Sequence, residues 1–85
     1  MNREFKIGSQ IVFIDALRKE HNALITQVWG TADVANNYYP ACNVVWVSGD
    51  DAKTDPYGRQ LERATSIVHI SMNSAGAMCW KWPDE

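Results

Sequence analysis

The chain has little with which to build a covalent or metal scaffold. It holds two cysteines, Cys42 and Cys79, too few for the disulfide framework of a small secreted domain. Both sit inside apolar runs, where buried reduced thiols are expected. His21 and His69 would complete a four-residue zinc set, but no two of the four form the short paired knuckle that lets ligands share one turn. No metal and no other cofactor is expected. The five glycines, Gly8, Gly30, Gly49, Gly58 and Gly76, stand singly, which excludes a Gly-rich phosphate loop. Asp50, Asp51 and Asp55 crowd one segment without the spacing or the following glutamate of an EF-hand loop, and read as a solvated hairpin end.

A surplus of positive charge is missing too. Eight Lys and Arg face ten Asp and Glu, a formal net charge of −2 with a pI near 5.6, whereas a nucleic-acid-binding domain normally shows a basic footprint. No apolar run follows Met1, and none approaches the roughly 18 residues of a membrane span, so neither a signal peptide nor a transmembrane segment is expected. The chain reads as cytoplasmic, without a membrane partner. It has no internal repeat and no low-complexity stretch. Nucleophilic catalysis lacks its parts. Ser66 and His69 point to opposite faces of a strand, and Thr65, which shares the face of His69, is a rare internal nucleophile. A protein without catalytic activity is expected.

What the chain does have is a rhythm of short apolar runs between turn signals, rich in β-branched and aromatic residues. They are Gln10 to Ile14, Ala23 to Trp29, Ala41 to Val47, Thr65 to Ser71 and Ala77 to Trp82. In the last, Met78, Trp80 and Trp82 alternate with Ala77, Cys79 and Lys81. Asn73 to Gly76 carries turn residues at hairpin length, so the last two runs are expected to pair antiparallel. Asp15 to Asn22 reads as a loop, and Thr31 to Pro40 as a connection that becomes extended near its end. Together these predict an all-β, small, five-stranded, partly open SH3-like barrel. At 85 residues the chain is one domain spanning 1–85, with a single thin core.

Four tryptophans are too much apolar surface to leave in water without a reason. Trp46 and Trp80, with apolar neighbours, belong in the core. Tyr38, Tyr39 and Trp82, near element ends, are candidates for a partner surface. The densest polar patch is the string D-P-Y-G-R-Q-L-E-R-A-T-S-I-V-H from Asp55 to His69. Asp, Pro and Gly at its first, second and fourth positions suit a type I turn. Of the rest, Arg59, Arg63 and His69 are candidate partner-binding residues. Either an arginine fork is tied internally by Asp55 or Glu62, or one arginine faces a carboxylate or phosphate on a partner.

That string, with H-N-A-L-I-T-Q-V-W-G from His21 to Gly30, resembles a group of small proteins carried by tailed phages, prophages and environmental viral sequences. The likeness covers about Gly8 to Trp82. It implies an SH3-like barrel of phage origin, in a host cell or a virion, and no particular activity, cofactor or catalytic residue. The group carries a His-Gly pair where this chain has Ala75-Gly76, so any role of that histidine does not transfer. The expected function is a phage-derived structural or protein-interaction module, a virion or homo-oligomer component whose open barrel edges would favour self-pairing. The alternative is a nucleic-acid-associated barrel using Arg59, Arg63 and exposed aromatics.

Overall fold

Alternating apolar runs of five to nine residues suit strands too short to stand alone, which must close around one core. The computed structural model describes residues 4–85 and shows how they do so. The strands are β1 (Gln10–Ile14), β2 (Glu20–Val28), β3 (Cys42–Val47), β4 (Thr54–Asp55), β5 (Gly58–Arg59), β6 (Leu61–His69) and β7 (Cys79–Lys81). Short 3-10 turns lie at Val34–Asn36 and Ile70–Met72. Strands β1, β2, β3, β6 and β7 form a closed mixed barrel in that order, and β4 pairs only with β5. The five-stranded SH3-like barrel is thus present, but shut rather than partly open, because β7 pairs antiparallel with β1 and parallel with β6. The β6–β7 seam is short, covering Val68 and His69, and the Leu61–Ile67 part of β6 pairs with β3.

The expected antiparallel pairing of the last two runs is corrected: β6 and β7 run parallel, with Val68 opposite Cys79 and His69 opposite Trp80. The link reverses twice. After the 3-10 turn at Ile70–Met72, the Asn73 side chain accepts from the backbone N–H groups of Ala75 (2.9 Å) and Gly76 (3.2 Å) and donates to the Ala77 carbonyl (2.9 Å). Met78 then takes a left-handed conformation, φ 53°, before β7 starts. Two reversals leave the strands pointing the same way.

Shape follows from two irregularities. Pairing shifts register between Ile25 and Gln27 in β2, and between Cys42 and Val44 in β3; bulges of this kind bend a strand so that few strands can close. Beyond the first bulge, alternation along β2 slips, so Trp29 is exposed while Val28 packs against the core. Gly30 follows at φ 153°, where an added Cβ would approach the Pro40 Cβ to 3.1 Å.

The core gathers Ile11, Phe13, Ala23, Ile25, Val44 and Ile67 around an aromatic group of Tyr39, Trp80 and Trp82. Trp80 packs edge-on to Tyr39 and Trp82 at 5.2 and 5.1 Å. Its indole N–H is buried without an acceptor among the described residues, a cost of about 1–3 kcal/mol that packing against the rings of Phe5, Tyr39, His69 and Trp82 offsets. Trp46 is half-buried, stacked on Phe13 at 4.4 Å. From β3 to β6 the chain detours through the β4–β5 hairpin, whose strand residues are all exposed. The radius of gyration, 13.1 Å, exceeds the ~12 Å of a compact chain of this length, consistent with a projecting arm. Among the described residues no helix is long and apolar enough to cross a membrane.

Candidate interaction face

Three of the residues expected at a partner surface lie in the core instead. Tyr39 and His69 are each 1 % exposed and Trp82 4 %. The Trp82 indole N–H donates to the Tyr39 hydroxyl at 3.1 Å, so the two rings pair their polar tips inside the core. His69 Nδ1 accepts from the Ser71 backbone N–H (3.2 Å) and contacts the Ser71 hydroxyl (2.8 Å). Its Nε2 meets the Glu85 carboxylate at 2.8 Å. An accepting Nδ1 leaves the proton on Nε2, which donates to Glu85. His69 therefore caps the Ile70–Met72 turn and ties it to the C-terminal residues, with its ring 4.7 Å from that of Trp80. Tyr38 remains half exposed, in a bridge with Asp33.

The polar string is held internally, with other partners than expected. Asp55 is used by the turn: its Oδ1 accepts the Tyr57 backbone N–H at 2.8 Å, fixing the hairpin tip where Tyr57 is 98 % exposed. Neither Asp55 nor Glu62 takes an arginine. Glu62 pairs with Lys53 at 2.8 Å, while Arg59 pairs with Asp51 and donates to the Ser48 carbonyl at 3.3 Å. Arg59 thereby fastens the arm to its root. Arg63 differs: its side chain makes no ion pair or hydrogen bond among the described residues.

Register shows where Arg63 stands. Directly opposed residues in antiparallel strands share a face, and Gln10, Leu24, Val45 and Arg63 are opposed in one row across β1, β2, β3 and β6. The next row sets Val47 against Leu61. The intervening row, Ile11, Ala23 and Trp46, points into the barrel, so these two rows point out. Yet Leu24, Val47 and Leu61 are apolar and 48–60 % exposed, where the solvated side of such a sheet is normally polar. At the other end of the face Asn43 Oδ1 accepts from the exposed Trp29 indole N–H (2.9 Å) and from the Ser66 backbone N–H (3.1 Å). Apolar side chains around one unpaired arginine, rimmed by polar groups, match the composition of protein interfaces.

A second concavity lies at the mouth of the barrel. It is a groove of about 460 Å³ between the β1–β2 turn and the root of the arm, lined among others by Asp15, Leu17, His21, Trp46, Lys53 and Glu62. Two of its carboxylates are already matched, while Lys19 and Asp50, which also line it, make no ion pair among the described residues. Asp15 bonds His21 Nε2 at 2.8 Å and accepts the backbone N–H groups of Leu17 and Lys19. The His21 bond, with those two N–H groups, holds the Asp15 carboxyl below its usual range against the opposing effect of burial. Lys53 and then Ser48 lower Glu62 likewise, and Glu62 raises Lys53. Among the described residues no three His, Cys, Asp or Glu side chains are grouped to hold a metal. Burial pushes the Cys42 thiol up to about 12 and raises Cys79 as well, so neither supplies a thiolate near neutral pH.

End position points to Tyr39 and Trp82, and the polar string to His69, whereas nothing in the sequence points to Leu24, Val47 and Leu61. Their signal needed the strand partners: each is unremarkable alone, and only register joins them beside Arg63. Compared with known proteins, the chain matches no family model, no curated protein and no solved structure.

Proposed function

We propose that this chain is a non-catalytic protein-interaction module of phage origin, acting in a virion or in the host cell and binding through the outer face of β2, β3 and β6. One observation carries the reading: Leu24, Val47 and Leu61 stand exposed on the solvent side of a well-packed sheet, contiguous with half-buried Val45 and unpaired Arg63. Single exposed aliphatic groups such as Leu17 are ordinary, whereas several gathered on one face mark an interaction surface. The phage origin rests on the resemblance of the Asp55 to His69 string. The nucleic-acid reading loses Arg59 to Asp51 and keeps Arg63 as an isolated cation, short of a basic track.

The test compares the chain with a Val47→Thr, Leu61→Thr variant. Both threonines keep strand propensity, so stability is expected to change by less than about 1 kcal/mol. Purified virion proteins and host extract should each be passed over both proteins. A partner held by the unaltered chain and lost by the variant is the expected result. Equal retention by both, or salt-sensitive retention of DNA alone, contradicts the proposal.

A further inference from the structure

We infer that the partner at this face presents a carboxylate set between apolar side chains, an inference that rests on the interaction reading above. Among the described residues the face has one charge and no counter-charge beside it. Lys6, Lys53, Arg59 and Lys81 each pair with a carboxylate of the chain itself, and Arg18 and Lys19, which make no ion pair among these residues, stand in the β1–β2 turn. Arg63, exposed in the row with Leu24 and Val45, has no such partner among the described residues. The adjoining Glu62 occupies the alternate position on β6 and is taken by Lys53. Glu20, at the start of β2, is taken by Lys81 at 3.0 Å.

A guanidinium flanked on one side by Val45, Val47 and Leu61, with Leu24 beyond Val45, fits one class of ligand well. Its planar fork receives a carboxylate through two parallel hydrogen bonds. Covering the aliphatic side chains beside it strengthens that pair by displacing water while burying apolar surface. A second copy fits poorly, because the same face on the copy would offer no free carboxylate to Arg63: Glu62 is taken by Lys53 and Glu20 by Lys81. A phosphate backbone would find one cation rather than a track.

The experiment selects displayed random peptides against the immobilised full chain. Enriched sequences are expected to carry Asp or Glu flanked by Leu, Ile, Val, Met or Phe. A synthetic peptide of such a sequence should bind Arg63→Glu at least about tenfold more weakly, the change that ~1.4 kcal/mol produces. Its acid-to-lysine counterpart should recover affinity for Arg63→Glu. Circular dichroism of that variant should match the parent, since Arg63 is exposed. Absence of enrichment overturns the inference, as do enriched peptides without an acid or with affinity indifferent to Arg63→Glu. Peptides indifferent to that change but weakened by Val47→Thr, Leu61→Thr would sink the charge inference and spare the face. Indifference to both variants sinks the face as well. A concentration-dependent dimer seen by light scattering and abolished by Leu61→Thr overturns it in favour of a second copy.

Discussion

At Asn43 one side-chain oxygen holds two donors, the indole of Trp29 just after β2 and the Ser66 backbone within β6. The second matters more. Ser66 sits inside β6 at φ 57°, a left-handed conformation that costs an L-residue about 1–2 kcal/mol and persists only when its surroundings demand it. Asn43→Ala would leave the Ser66 N–H without its acceptor and release Trp29. A loss of about 1–3 kcal/mol is expected in urea unfolding, with Asn43→Asp, which keeps the acceptor, losing clearly less. Equal losses for the two would show that packing, not the hydrogen bonds, holds this corner. His69 teaches a related lesson at single-residue scale. Its partners are the following 3-10 turn and a glutamate near the end of the chain, contacts that strand alternation cannot reveal.

Among the elements, the β1–β2 turn is the most tightly specified. Asp15 accepts two backbone N–H groups and the His21 ring, so a single carboxylate closes the turn that sets the β1–β2 register. Because its pKa is lowered on folding, its contribution is present above the unfolded value of about 3.9 and is lost as pH falls through the lower folded value. Asp15→Asn should therefore lower stability near pH 7 by about 1 kcal/mol and flatten the decline of stability below pH 4. Urea midpoints from pH 2 to pH 7 measure both. An acid limb that is unchanged in the variant would contradict this assignment. The arm is held differently, by Arg59 to Asp51 and Lys53 to Glu62, exposed pairs that salt screens.

For the whole molecule, closure is the feature that matters most, since it joins five short strands around one core. Cys42 and Cys79 report on that closure. Both are buried free thiols on different strands, so a thiol reagent should label neither in native conditions, and both together once urea unfolds the barrel. Rapid native labelling of Cys79 alone would mean that the β6–β7 seam opens by itself. The five barrel strands were legible in the sequence, because apolar and β-branched runs bounded by Gly, Pro and Asn encode strands locally: Gln10 to Ile14 stands as read, although β2 and β6 start earlier, at Glu20 and Leu61, and the β4–β5 hairpin has no apolar run of its own. Closure was not legible. It depends on bulges at Ile25/Gln27 and Cys42/Val44 and on the double reversal before β7, which follow from tertiary fit. The candidate site was half legible for the same reason. Arg63 could be singled out by its charge, whereas Leu24, Val47 and Leu61 become a surface only through cross-strand register.

The most direct check on the central claim, that the barrel binds protein through the outer face of β2, β3 and β6, is a map of backbone amide shifts. A peptide selected against the chain would be titrated into isotopically labelled protein, with Val47→Thr, Leu61→Thr as the control. The largest changes are expected at Leu24, Val45, Val47, Leu61 and Arg63, and they should vanish in the control. Shifts confined to Asp15, His21, Trp46 and Lys53 at the mouth groove, unchanged in the control, would contradict the account.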